Sequence, residues 1–154
     1  MIKIEKRLAL AVVLLVMGSG ASWGHGGASG VVKERMVTME AIGSNMKTVG
    51  KMLKTETEVD ADLVMKSGST IADHAGEALL KLFPSGSLMS PTEATEAIWT
   101  DWNLFTELAN RLQISAENMT RIAADGGDKK AVASAFGKIA ATCKACHADF
   151  RVKK

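Results

Sequence analysis

The chain has 154 residues, 47% of them apolar and 23% charged, with 19 basic against 17 acidic side chains, 9 Met, 2 Pro, 2 Cys and no Tyr. That is one domain's length, too ordinary in apolar and charged content for a disordered or collagen-like chain and too poor in cysteine for a disulfide scaffold. Aromatic residues make up only 5%, so Ala, Leu, Val and Met carry the apolar content, which favours helix over sheet.

Lys3, Lys6 and Arg7 open the chain, followed by an apolar run over 8–17 and the small residues Gly18, Ser19, Gly20, Ala21 and Ser22. Ten helical residues rise about 15 Å, half of a hydrocarbon core, so residues 1–24 read as a cleaved secretory signal rather than a membrane span. Cleavage is expected after Gly24, with Ala28 as the alternative, and leaves 25–154 as one exported domain without a membrane anchor, carrying 16 basic and 16 acidic side chains. Such a balance lacks the basic footprint of a nucleic-acid binder.

Four apolar stripes follow. Val32, Met36, Met39, Ile42, Met46, Val49 and Leu53 recur at steps of three and four and predict a helix over 29–54. Val64, Gly68, Ile71, Ala75, Leu79 and Leu82 predict a second over 58–82, stopped by Pro84. Ser90, Pro91 and Glu93 have the pattern of an N-cap, a first-turn proline and a capping-box glutamate, so the third helix is expected to start there. It runs through Ile98, Trp102, Phe105, Leu108, Leu112, Ala116, Met119 and Ile122 to Gly126 and Gly127. Asp128 caps a fourth, whose stripe is Val132, Phe136, Ile139, Cys143, Cys146 and Phe150.

No segment alternates with period two. Four such helices bury their stripes most simply as an all-α, antiparallel up-down-up-down four-helix bundle. Basic and acidic residues number 5 and 2 over 29–54, 2 and 6 over 55–82, 2 and 5 over 91–124, and 7 and 1 over 129–154. The outer helices are therefore basic and the inner two acidic, although exposed pairs of this kind contribute only a few tenths of a kcal/mol each.

The chemistry is concentrated in Cys143, Lys144, Ala145, Cys146 and His147, the attachment sequence for c-type haem. On a helix, three-residue spacing sets both sulfurs on one side, where they can add to the two vinyl groups of one porphyrin, and His147 follows as the iron's ligand. Competing readings are weaker. A reactive dithiol belongs at a helix N-terminus after a strand, whereas here the dipole raises the thiol pKa. Zinc would need a fourth ligand, and the other histidines are His25 and His74.

With this motif closing the last of four helices, the sequence resembles the class II c-type cytochromes, the family of cytochrome c′ and of low-spin cytochrome c-556. Phe150-Arg151, Ile98-Trp99 with Phe105, Leu82-Phe83-Pro84 and the run from Arg35 to Met46 carry the resemblance beyond the motif. It implies one covalent haem c per chain, with iron held by His147. In this family the residue facing the other side of the iron lies one turn after an arginine of the first helix, which points here to Arg35 and Met39. Arg35 is then expected near a haem propionate. A methionine at that site implies a low-spin, six-coordinate electron carrier and no enzyme activity. If Met39 is only core, as methionines at helical spacing often are, the alternative is a five-coordinate, high-spin protein that binds NO or CO. His74 is a weak rival for the sixth site.

Gly43 and Gly137 are candidates for close approach of backbone to porphyrin. Trp99, Trp102, Phe105 and Phe150 read as core, and Arg151 lies over the haem-binding turn. The expected partners are redox proteins presenting an acidic surface to the basic fourth helix, with Lys138, Lys144, Arg151, Lys153 and Lys154 steering, in the periplasm of a Gram-negative bacterium. The resemblance also allows a homodimer through the first two helices.

Overall fold

The computed structural model describes residues 27–55 and 58–153. The secretory signal assigned to 1–24, and His25, lie outside them. Six helices follow one another: α1 (Gly30–Lys54), α2 (Ala61–Asp73), α3 (Gly76–Leu80), α4 (Ala97–Thr100), α5 (Trp102–Ala124) and α6 (Lys129–Phe150). The four long ones, α1, α2, α5 and α6, are the expected bundle. α2 packs most extensively on α5, α5 on α6 and α1 on α2, while α1 and α6 meet only thinly.

Side-chain caps start three of these helices. Asp60 accepts from the Leu63 N–H at 2.9 Å, Asp101 from that of Leu104 at 3.2 Å, and Asp128 from that of Ala131 at 2.8 Å. Each satisfies one of the N–H groups that a helix start leaves without a partner.

Two helix boundaries differ from expectation. The helix expected over 58–82 breaks after Asp73, because Ala75 is extended and Gly76 has φ +54°. A β-carbon at Gly76 would meet the Gln113 side chain of α5, so the turn requires glycine both for its conformation and for its neighbour. Nor does the third helix start at Ser90. Residues 93–95 instead pair with the chain's end: the Thr95 N–H donates to the Phe150 carbonyl at 3.0 Å, and the Val152 N–H to that of Glu93 at 2.8 Å. With that backbone drawn into an antiparallel bridge between Ala94 and Arg151, Asp101 provides the cap that Ser90 was expected to give.

The core is split in two. One cluster centres on Val49, Val64, Ile71, Met119, Val132 and Ile139, the other on Leu79, Phe83, Ile98, Phe105, Leu108 and Phe150. In the second, Phe105 meets the edges of Phe83 and Phe150 at centroid distances of 4.9 and 5.3 Å, a favoured aromatic geometry. The gap between the clusters is the candidate site.

Candidate cofactor site

A cavity of roughly 780 Å³ occupies this gap, within the size range of sites that enclose a cofactor. Ile42 and Leu112 wall it from the first cluster, and Leu79, Phe83, Ile98, Phe105, Leu108 and Phe150 from the second. α6 supplies Cys143, Cys146 and His147, and α1 supplies Arg35, Met36, Met39, Gly43 and Met46. The two faces expected to bracket a haem thus border one space.

Burial raises the Cys143 thiol pKa, and burial with the charges of Cys143 and Asp149 raises that of Cys146 to about 11. Thiols so held are poor nucleophiles at neutral pH, the opposite of what a disulfide-exchange enzyme needs. Burial, and the neighbouring cation of Arg151, lower the pKa of His147 against the opposing pull of Glu93. That favours the neutral imidazole, the form that ligates a metal.

Arg35 is buried, and its interactions hold the loop after α3. Nε donates to the Leu82 carbonyl at 2.6 Å, Nη1 to the Ser87 carbonyl at 2.8 Å and Nη2 to the Ser87 hydroxyl, while the guanidinium lies over the Phe83 ring. These partners are neutral. These bonds use three of its five N–H groups, and Arg35 also lines the cavity. An apolar slot with two thiols, an imidazole and a buried cation suits a flat, macrocyclic, carboxylate-bearing group such as haem.

Within the α1 stripe, Val32, Ile42 and Val49 are buried, but Met39 is 37% exposed at the cavity wall. His74 does not line the cavity; its Nδ1 lies 2.9 Å from the Thr70 carbonyl oxygen. Gly43 lines the cavity with nothing within 4 Å of an added β-carbon, whereas Gly137, equally open, does not line it. Trp99 and Trp102 are also absent from the wall, and the Trp99 indole donates to the Phe83 carbonyl at 3.0 Å.

Sequence reading missed Glu93, which lines the cavity and forms an ion pair with Arg151. Its capping-box spacing hid it. Phe83 was read only as part of a helix stop, although its ring both walls the cavity and receives Arg35.

The chain matches the family described as Cytochrome C' over residues 30–151. It belongs to the cytochrome c′ family. Over 96% of this chain and 97% of the relative, it is 33% identical to cytochrome c′ of Rhodopseudomonas palustris. It is 32% identical to cytochrome c-556 of Agrobacterium tumefaciens strain B2A, over 82% of this chain and all of that one. The solved cytochrome c′ of R. palustris superposes with a TM-score of 0.74 at 31% identity, covering 82% of this chain and 99% of that one. The nitric oxide complex of a cytochrome c prime variant from Alcaligenes xylosoxidans superposes with a TM-score of 0.70 at 25% identity, covering 80% and 94%.

Cytochrome c′ proteins bind haem c through two cysteines, here Cys143 and Cys146. They are electron carriers or gas-binding haem proteins, and this chain is a haem protein of that kind. No described helix is long and apolar enough to cross a membrane.

Proposed function

We propose that this member of the cytochrome c′ family is an exported one-electron carrier, with His147 and Met39 on opposite sides of its haem iron. When bound, haem supplies a one-electron couple at its iron. Everything else falls to the chain. Cys143 and Cys146 would hold the macrocycle, His147 would ligate its iron from α6, and Arg35 would offer its guanidinium to a propionate. A thioether from Met39 favours low-spin iron, raises the reduction potential and fills the position that a gas would need. The observation that carries this reading is the position of Met39 on the wall of the cavity that His147 borders, in a stripe whose other members are more deeply covered.

The second reading is a five-coordinate receptor for NO or CO. On the comparisons alone it is the better supported, because the matched family is described as Cytochrome C' and one solved relative is a nitric oxide complex. In that case Met39 is packing only. Met39→Leu separates the two: loss of a low-spin ferric spectrum supports ligation, and an unchanged spectrum refutes it.

A secretory signal over 1–24 and periplasmic residence complete the proposal, in keeping with the periplasmic location of Gram-negative relatives. Solved relatives form dimers, and pairing of two copies through α1 and α2 is proposed for this chain. Redox proteins with acidic surfaces are the proposed partners.

A further inference from the structure

The bundle is charged asymmetrically, and its basic side is the side on which the cavity opens. α1 and α6 adjoin, with α2 and α5 completing the bundle opposite them. The α1 stretch has 5 basic and 2 acidic residues and the stretch from α6 onward has 7 and 1, whereas the α2 and α5 stretches are acidic. Lys33, Lys47, Lys51 and Lys54 of α1 are all exposed, and Arg35 is buried. A near-neutral mature chain is thus a strong dipole.

Helical spacing places these charges more closely. Met36, Glu40, Gly43, Lys47 and Lys51 follow one another at steps of four and three, so they share one side of α1. Gly50 belongs to that side, and a β-carbon there would come within 3.3 Å of the Phe136 ring, which identifies it as the side turned to α6. On α6, Ala133, Gly137, Ala140, Lys144 and Ala148 run at the same steps and are exposed. Met39, Glu40, Gly43, Ala140, His147 and Arg151 are both exposed and on the cavity wall, so the mouth opens along this seam, with one acidic and one basic side chain on its rim. Lys138 lies elsewhere: it shares a side of α6 with Thr142 and Ala145, and Ala145 packs against the cluster that includes Phe105 and Leu108 of α5.

We infer that the α1–α6 seam, with Lys47, Lys51 and Lys144 around a floor of alanine and glycine, is the surface on which an acidic redox protein docks. Small side chains let a partner approach the cavity mouth closely, and the lysines supply attraction and orientation. Apart from Met36 and Met39 on the cavity wall, the side chains along the seam are small or charged, which favours a protein over an anionic membrane. In the step served, the cofactor that Cys143, Cys146 and His147 would hold would supply one electron, which would reduce the partner's acceptor as the protein is oxidised by one electron, with no bond made and no proton moved. This inference rests on the electron-carrier reading.

The test uses purified holoprotein, a carboxylate cation-exchange matrix and hexacyanoferrate(III) as an anionic one-electron oxidant. Lys47→Glu with Lys51→Glu spares the haem motif, and Lys66→Glu with Lys138→Glu makes the same charge change on other faces. The expected result at about 10 mM ionic strength is retention of the wild-type and control proteins, loss of retention by the seam variant, and oxidation of that variant slower by about three- to tenfold. The difference closes at high salt. Equal effects of the two pairs, or no effect of either, overturn the inference, as does lost retention without slowed oxidation. Stronger capture by phosphatidylglycerol vesicles than by the carboxylate matrix overturns it in favour of a membrane. Failure of the carrier reading is visible separately, as carbon monoxide binding to the untreated ferrous protein.

Discussion

The guanidinium carbon of Arg35 lies 4.3 Å from the centre of the Phe83 ring. With its three hydrogen bonds, this contact fastens α1 to the loop between α3 and α4, and both residues wall the cofactor cavity. Arg35→Ala is expected to destabilise the holoprotein by about 2–4 kcal/mol, since it strands buried carbonyl groups and removes a cation from an aromatic face. Arg35→Lys should restore less than half, because a single ammonium cannot reach both carbonyls and the ring. Urea unfolding followed by circular dichroism measures both, and a loss below about 0.5 kcal/mol would contradict the clamp.

Gly68 is the close-approach point between α2 and α5. A β-carbon there would meet Thr120 Oγ1 and lie 3.1 Å from the Ala116 carbonyl oxygen. Gly68→Ala should therefore destabilise by about 1–3 kcal/mol despite the better helix propensity of alanine. Adding Thr120→Ala should recover part of this and not all, since the backbone oxygen stays in place. Thermal unfolding of the single and double variants provides the comparison.

The thiols give a pH-dependent expectation. A raised pKa means less thiolate at any given pH, so iodoacetamide should alkylate Cys146 of the haem-free chain slowly at pH 8, with a midpoint near about 11. The same shift destabilises the folded haem-free chain as pH rises from the unfolded thiol value of about 8.5 through about 11. Fast alkylation at pH 7 would revive a dithiol function.

Covalent attachment gives a further chemical check. Under denaturing conditions the mature protein should be heavier than its polypeptide by about one haem and show no free thiol. Cys143→Ser with Cys146→Ser should release that mass to solvent extraction. Either single substitution should leave one thioether.

Much of this was legible in the sequence because it rests on periodicity and on one compact motif. The stripes of α1 and α6 and the cap at Asp128 came through because local spacing determines them. The starts of the other helices did not. Ser90, Pro91 and Glu93 have a helix-start pattern, but the chain's last residues claim residues 93–95 from far along the sequence, and no local rule carries that pairing. The break at Gly76 fits the same account, since Gln113 of α5 crowds that position. At the site, the spacing of Cys143, Cys146 and His147 was readable from the sequence, and all three border the cavity. That Arg35 clamps a loop, and that Lys47 and Lys51 share the side of α1 turned to α6, became visible only once helix orientation was known.

The identity of the sixth ligand is decided most directly by the absorption spectrum of the wild-type ferrous protein before and after addition of carbon monoxide at neutral pH. Ligation by Met39 predicts a low-spin ferrous spectrum that carbon monoxide leaves essentially unchanged. A high-spin spectrum that converts at once to a carbonyl form would contradict it and assign the protein to gas binding.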